Sequence, residues 1–359
     1  DIVKYHNKTI TRYLTGKNVS MEYGVGQFTN YLEGSSSVKD LPTLFELIYT
    51  FFTDINPNAA VYSNAVARLI PQLESAEKSP EFIFNTHKDA AVYKNNPLNM
   101  SVTADVLKSA DYSRMIELYK ESIANPADYT LIFTGNVNID ALKPLLEQYI
   151  ASLATQKTTE LVMLTPVDTA DGQVIDNFTT VMTVPGDWLY GLYSGKNIDN
   201  SIHNQVKISL VGNILGILYT EIIREKEGGV YSPVVYSTYD INNGKWNVVY
   251  FLQTNEEQAP RILTLADELF VDLLKDGATQ EQFNRVKGAQ LSQYENSIRT
   301  NGYWHNNIRL YELFGKDLIT EHRSAIENLT LDDFNDFMRT LYDGKNRIQI
   351  NMHGVTTNK

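Results

Sequence analysis

The chain has 359 residues, 43% hydrophobic and 21% charged, which is enough to bury a large core and excludes both a disordered chain and a small disulfide-stapled scaffold. Its net charge of −12 argues against a nucleic-acid-binding protein, because phosphate neutralisation needs clustered basic surface. The absence of cysteine excludes disulfides and sulfur-held zinc, and no uninterrupted apolar run reaches the roughly 18 residues of a membrane span.

The first half of the sequence is rich in helical patterns. Apolar residues three and four positions apart predict the first long helix, and Asp40 followed by Pro42 marks its start. The β-branched and aromatic run from Tyr129 to Thr134 predicts a strand, whereas the stretch from Gly34 to Ser37 is typical of a loop. The predicted helices are 41–52, 61–73, 112–124 and 139–153, the last of them capped by Asn138.

The second half follows a stretch of different composition. Residues 154–173 are rich in Thr, Asp, Pro and Gly without sustained periodicity, which predicts a linker. The predicted strands are 178–184, 187–194, 234–239, 246–253 and 347–354. The Asn243-Gly244 step favours a hairpin between the third and fourth of these strands. The predicted helices are 203–225, 259–275, 279–298 with a capping box of Thr279 and Gln282, and 331–342.

The end of the first half and the tail share one order of elements. A helix at 112–124, a turn and a strand up to Gly135 correspond to the helix at 331–342, a turn and the strand 347–354. This order predicts an α+β protein of two homologous domains, each a mostly antiparallel sheet with helices packed on one face. The predicted division is a first domain at 1–155, a linker at 156–173 and a second domain at 174–359.

The histidines and glycines give no recognisable catalytic motif. No histidine has another histidine three or four residues away, so no helix presents two imidazoles on one face. The inverted zinc motif His-x-x-Glu-His would need histidine at Leu318. No Gly-x-Ser-x-Gly elbow occurs, and the stretch from Gly24 to Gly26 lacks the third glycine of a dinucleotide fingerprint. We therefore expect surface or packing roles for the histidines, which are His6, His87, His203, His305, His322 and His353.

One short block, residues 218–233, combines features of a binding site. A long apolar helix ends there in charged residues, and Gly228 and Gly229 permit a left-handed turn before a strand that begins near Tyr231. A solvated helix cap is one interpretation. The other is that Arg224 and Tyr231 point at one extended ligand, because five guanidinium donors and one hydroxyl suit carbonyl oxygens or an oxyanion.

This block resembles a motif of the M16 family of zinc peptidases, which includes pitrilysin, insulysin and the processing peptidases. The resemblance rests on Arg-Glu-Lys-Glu-Gly-Gly-Val-Tyr-Ser at 224–232, and on the stretches 129–137 and 142–150 in the other domain. It is strongest to the carboxy-terminal half of the large bacterial pitrilysin-like proteases and extends from about Thr15 to Tyr342. Supporting matches are Gly34-Ser35 followed by Lys39-Asp40-Leu41, then Ser79-Pro80, Phe251-Leu252-Gln253-Thr254 and Asn301-Gly302-Tyr303-Trp304.

The resemblance implies a clamshell of two homologous halves that close over an extended peptide. In the family, the amino-terminal half carries His-x-x-Glu-His and a later glutamate, which bind zinc. This chain lacks that motif, so the resemblance implies the catalytically silent half, in which Arg224 and Tyr231 hold the substrate backbone and stabilise charge on the scissile carbonyl. It implies zinc in the full-length enzyme, with none bound by this chain.

The implied partners are an amino-terminal half with His-x-x-Glu-His and an extended peptide substrate, without nucleic acid or a membrane span. The implied location is the cell envelope or periplasm, with the cytoplasm as the alternative. Because the chain begins at Asp1 rather than methionine, we expect it to be part of something longer. The first domain is expected to be shortened at its amino end.

A second hypothesis is a non-catalytic M16-like subunit that binds peptides or serves as an assembly partner. The neighbouring reading frame separates the two: His-x-x-Glu-His upstream in frame favours the protease half, and a stop codon favours the subunit. A self-sufficient hydrolase of another type has no support, because no nucleophile–base spacing is visible.

Overall fold

A computed structural model describes residues 7–26, 29–54, 56–156, 167–240 and 244–356. The helices are α1 (Asn7–Leu14), α2 (Leu41–Thr53), α3 (Ala59–Ala76), α4 (Pro80–Tyr93), α5 (Ala104–Ser109), α6 (Tyr112–Ile123), α7 (Ile139–Leu145), α8 (Ile202–Leu218), α9 (Ala259–Asp276), α10 (Gln280–Ser297), α11 (Asn301–Phe314), α12 (His322–Glu327) and α13 (Leu331–Leu341). The strands are β1 (Val19–Val25), β2 (Asn30–Ser36), β3 (Gln173–Val181), β4 (Gly186–Gly195), β5 (Val234–Asp240), β6 (Lys245–Thr254) and β7 (Arg347–Val355). Two helices continue as π-helical turns, α7 at Leu146–Ile150 and α8 at Tyr219–Lys226.

The chain divides into two compact units. The first contains residues 1–78 and 101–167, and the second contains 79–100 and 168–359. The segment 79–100, which carries α4, therefore packs with the second unit, although the sequence places it in the first predicted domain. Most of the predicted linker, residues 157–166, lies outside the described residues. The homology of the two predicted domains stays a prediction.

The first unit contains one antiparallel strand pair among its described residues. Strands β1 and β2 pair from Val19 opposite Ser36 to Val25 opposite Asn30. The stretch from Gly34 to Ser36 is therefore part of β2, and the prediction of a loop was wrong. A side chain at Gly34 would lie 2.8 Å from Leu44 Cδ1 of α2, so this glycine lets the helix approach the strand pair.

The predicted strand from Tyr129 to Thr134 was also wrong. These residues have no strand assignment and pair with none of the described strands. Their aromatic character serves packing instead, because the Phe133 ring stacks on Phe45 of α2 with centroids 5.5 Å apart. A β-branched and aromatic run marks a half-buried surface, and a strand needs a neighbour as well.

The second unit contains a five-stranded sheet in the order β3-β7-β4-β6-β5. Strands β3 and β7 are parallel and the other neighbours are antiparallel, which confirms the α+β class. The predicted pairing of β5 with β6 is confirmed, whereas the turn residues 241–243 lie outside the described residues. The tail strand β7 lies between β3 and β4, so the turn at Pro185-Gly186 joins strands that do not pair.

Helices pack on both faces of this sheet. Along β4, Leu189 and Tyr193 belong to one buried cluster, while Tyr190 and Leu192 belong to another. Because alternate side chains of a strand point to opposite faces, the two clusters lie on opposite sides. The larger cluster holds the buried residues of α8, α9, α10, α12 and α13, as expected for helices on one face. Helix α4 covers the other face, which was not predicted.

Helix α8 is the central helix of the larger cluster. Leu210, Val211, Ile214 and Leu215 are all 0% exposed. Among the described residues, the continuous helix Ile202–Lys226 is the one candidate long and apolar enough to cross a membrane, although no uninterrupted apolar run predicts a span. We assign it to the core because its apolar residues pack against the sheet and four other helices.

A partly buried ion pair that was not predicted contacts Tyr193 of the larger cluster. Arg347 of β7 pairs with Asp267 of α9, and the hydroxyl of Tyr193 donates to the same carboxylate. Arg347 also donates to Gln349 Oε1 at 2.5 Å. The guanidinium and the phenol together pair both oxygens of Asp267, which offsets the partial burial of this carboxylate.

Two glycines of α8 give a matched test of its packing on β5. A Cβ at Gly212 would lie 2.6 Å from Ser237 Oγ and 2.7 Å from Ser237 N, whereas a Cβ at Gly216 would meet Val235 Cβ at an ordinary 3.8 Å. Because alanine favours a helix interior, we expect Gly216→Ala to raise the free energy of unfolding by roughly 0.5–1 kcal/mol. Gly212→Ala is expected to lower it by about 1–3 kcal/mol, because the strand backbone must move. Urea unfolding of both variants measures this, and equal stabilities would contradict the tight contact.

Candidate functional site

The candidate site lies at the carboxyl end of α8, where the helix widens. In the π-helical turn Tyr219–Lys226, the N–H of Glu227 donates to the carbonyl of Ile222 at 3.0 Å, five residues back. The N–H of Gly229 donates to Ile223 O at 3.3 Å. Single π-helical turns of this kind are frequent at functional sites. Tyr219 and Ile223 are 0% exposed, so the buried side of the turn is fixed in the core.

Two glycines then reverse the chain toward β5, as the sequence predicts. Gly228 has a φ of +68°, the left-handed conformation that favours glycine. Gly229 serves close packing, because a Cβ there would lie 2.6 Å from Ile262 Cδ1 of α9. Val230 is buried immediately afterwards at 4% exposure. The turn is thus held on both sides by the core.

The turn brings the two predicted site residues together. The guanidinium carbon of Arg224 lies 6.0 Å from the centre of the Tyr231 ring. Both side chains face solvent, and Tyr231 is 88% exposed. This distance is at the outer limit of a cation–π contact. The guanidinium donors and the phenol hydroxyl therefore lie on one exposed surface, where one ligand can contact both.

The charged residues around Arg224 are partly paired. Glu221 lies 3.5 Å from Arg285 of α10, and Glu227 lies 3.1 Å from Arg261 of α9. Among the described residues, no carboxylate forms an ion pair with Arg224. Two of the acidic groups beside it are therefore engaged elsewhere, and the guanidinium is available to an anionic or carbonyl ligand. Its role in substrate binding stays a prediction.

His87, His203 and His322 have structural neighbours. His87 Nδ1 lies 2.7 Å from Asp176 Oδ2, and its ring stacks on Phe178 at 3.6 Å. His322 packs against Tyr294 with centroids 4.9 Å apart, and burial lowers its pKa. His203 is half exposed and 3.8 Å from Glu321, while His6 lies outside the described residues.

His353 of β7 forms a cluster that the sequence analysis missed. Its Nδ1 lies 2.7 Å from Oδ1 of Asp187, a nearly buried residue directly opposite it on β4. Its Nε2 lies 3.7 Å from the exposed carboxylate of Glu256. Only the alternation of polar and apolar residues along β7 signals this cluster, because the partner strand is far away in the sequence.

Zinc chemistry is not supported by the residues described here. Within the described ranges, no group of three or more His, Asp or Glu side chains is placed to hold a metal ion. The residues therefore do not fit a zinc site, and we derive no step through zinc. The expectation that this chain binds no zinc stays a prediction.

A sequence model of the family described as the peptidase M16 inactive domain matches residues 111–290, half of the chain, including Arg224 and Tyr231. The chain belongs to this family. A relative from Arabidopsis thaliana, described as a PQQL-like zinc protease, is 20% identical over 285 residues, covering 75% of this chain and 30% of the relative.

Solved structures of two proteases share the fold. The periplasmic protease PqqL from Escherichia coli superposes with a TM-score of 0.84 at 16% identity over 99% of this chain and 39% of PqqL. The ferredoxin protease FusC, solved in complex with Arabidopsis ferredoxin, gives a TM-score of 0.79 at 15% identity over 98% of this chain and 38% of FusC. This M16 chain thus spans between 30% and 39% of the length of these relatives.

The pair of His353 and Asp187 predicts a pH dependence of stability. The hydrogen bond to Asp187 raises the pKa of His353 above its ordinary value of 6.5. The pair therefore stabilises the fold fully below about pH 6.5, and the stabilisation is lost as pH rises through the raised pKa of the folded state. We expect His353→Gln to lower the unfolding free energy below pH 6.5 and to have less effect at high pH, as measured by urea unfolding across pH.

A double-mutant cycle provides the control for this prediction. If the pair is the cause, Asp187→Asn also reduces the pH dependence, and the double variant loses less stability than the sum of the single variants. Additive losses with an unchanged pH profile would show that the two side chains are not coupled.

Proposed function

We propose that this chain is the substrate-binding half of a two-half M16 zinc endopeptidase. The observation that carries the proposal is the pair of exposed side chains, Arg224 and Tyr231, placed 6.0 Å apart by a turn that the core fixes. Its family membership and its homology to zinc proteases support this reading. The limited share of each relative that the chain spans leaves room for a separate half that carries the zinc ligands.

In this proposal, Arg224 and Tyr231 act on the peptide backbone of the substrate. The guanidinium donates hydrogen bonds to substrate carbonyl oxygens and, with the Tyr231 hydroxyl, stabilises negative charge as it develops on the scissile carbonyl. Zinc, held by the amino-terminal half with His-x-x-Glu-His, would supply the activation of water. Because Tyr219, Ile223 and Val230 are buried, the backbone that carries the two donors is held in place before substrate arrives.

The proposed substrate is an extended peptide or protein segment in the cell envelope or periplasm. The Escherichia coli PqqL is described as a periplasmic protease, and FusC was solved with a protein bound. The net charge of −12 favours a basic peptide. The location and the protein substrate are described for the relatives, and we extend them to this chain only as part of the proposal.

The alternative is a non-catalytic M16 subunit that binds peptides or assembles with a partner. The description of the matched family as an inactive domain favours it. It predicts peptide affinity or a stable complex, without hydrolysis in any assembly. Mixing the chain with the matching amino-terminal half and zinc distinguishes the two, since turnover excludes the alternative.

Substitution of the two donors tests their proposed role in that reconstituted enzyme. We expect Arg224→Ala to lower kcat/KM by about 100- to 1,000-fold, as for the loss of one oxyanion donor. Tyr231→Phe removes one hydrogen bond and is expected to lower kcat/KM by roughly 10-fold. The measurement is steady-state hydrolysis of one peptide at saturating zinc.

Matched controls are available on neighbouring helices. Arg323→Ala removes an exposed arginine of α12 that pairs with Glu327, and Tyr311→Phe removes an exposed phenol of α11. Both are expected to leave turnover within about twofold of the unmodified chain, because exposed ion pairs contribute little. Unchanged turnover in the Arg224 and Tyr231 variants would overturn the assigned roles.

A further inference from the structure

One apolar face of the second unit is covered by a helix that precedes the predicted linker in the sequence. We call this surface the α4 face, and its sheet residues are Tyr190, Leu192, Val249, Ile348, Ile350 and Met352. All six are buried, at 6% exposure or less. Phe84 and Val92 of α4 are buried against them at 5% and 3% exposure.

Aromatic contacts fix the position of α4 on this face. The Phe84 ring lies 5.6 Å from Trp188, 5.5 Å from Phe251 and 6.5 Å from Tyr190, in edge-to-face geometries. Such pairs add to the area buried and favour one orientation. The helix is thus held by side chains of β4 and β6.

Polar contacts tie the same helix to β3 and to the end of the linker. His87 contacts Asp176 and stacks on Phe178, both of β3. At the carboxyl end of α4, the carbonyl of Val92 accepts a hydrogen bond from the N–H of Ala170 at 2.7 Å. Ala170 itself is 2% exposed within the α4 face cluster.

The end of the linker is fixed to the same unit. Lys245 Nζ donates to the carbonyl of Thr169 at 2.9 Å. Gly172 donates its N–H to Asn346 Oδ1 at 2.8 Å and accepts at its carbonyl from the N–H of Arg347 at 3.0 Å. Residues 169–172 therefore belong structurally to the second unit.

The path of the chain places α4 and the sheet that it covers on opposite sides of the linker in the sequence. The chain leaves the first unit after Lys78, contributes α4 to the second unit and returns at Ser101. A break between Gln156 and Asp168 would leave α4 on the amino-terminal fragment and the sheet on the carboxy-terminal fragment. The two fragments would then share one core.

We propose that the α4 face is a docking surface for segment 79–100, which holds the chain together across a break in its linker. The occupant is an amphipathic helix with buried Phe84 and Val92 and with His87 facing Asp176. The second unit is thus completed by a helix encoded ahead of the linker.

The test uses the full chain with a recognition sequence for a site-specific protease inserted after Gln156, in an exposed stretch. After cleavage, we expect the fragments to elute together in size-exclusion chromatography at micromolar concentration and to separate in denaturant. Fragments of the otherwise unmodified chain that separate under native conditions would overturn the proposal.

Matched charge substitutions on α4 identify the contact responsible. The double variant F84D/V92D places two carboxylates in the α4 face, whereas N85D/T86D places two on exposed positions of the same helix. We expect the fragments of F84D/V92D to associate at least 100-fold more weakly than those of N85D/T86D. Equal association would assign the cohesion to other contacts and contradict the proposal.

Hydrogen exchange on the unsubstituted, uncleaved chain keeps the proposal testable if F84D/V92D does not fold. We expect the amides of α4 between Phe84 and Val92 to exchange together with those of β4 and β7, as one cooperative unit. Exchange of α4 at the rates of α3, with β7 slower, would show that the helix is not part of the core of the second unit.

Discussion

Burial of the apolar residues of α8 is the constraint on which the rest of the second unit depends. Leu210, Val211, Ile214 and Leu215 are fully buried, and Gly212 brings the helix against the backbone of β5. Because these residues pack against the sheet and neighbouring helices, α8 cannot rotate or slide without exposing apolar side chains. The carboxyl end of α8 is therefore held in one position by the core. The positions of Arg224 and Tyr231 depend on it.

The fold could be predicted from sequence where the signal is local. The capping box of Thr279 and Gln282 forms as predicted, because its hydrogen bonds join residues three apart. Asn138 likewise caps α7 through the N–H of Ala141. Prediction from the sequence pattern failed where the secondary structure depends on a partner that is distant in the sequence. Residues 129–134 have the composition of a strand, but they pair with none of the strands in the described part of the chain.

Polar residue pairs could likewise be predicted only where the two residues are close in the sequence. Arg224 and Tyr231 are seven residues apart around a turn marked by two glycines, so their proximity follows from local sequence. The pairs of His353 with Asp187 and of Arg347 with Asp267 join residues far apart in the chain. Their one local signal is the polar alternation along β7, which does not name a partner. The position of α4 on the opposite sheet face is unpredictable for the same reason.

The backbone at the candidate site is more elaborate than a solvated helix end requires. A helix can end at a single left-handed glycine, and Gly228 supplies one with open space around its Cβ position. Here a π-helical turn precedes it, and a second glycine allows the chain to pack against Ile262 of α9. The turn is thus shaped by two helices at once, and its direction depends on how α8 and α9 pack. Unusual backbone that the surrounding core maintains is characteristic of sites where side-chain direction matters. A fixed turn that presents a guanidinium without a carboxylate partner among the described residues favours a ligand site over a simple cap.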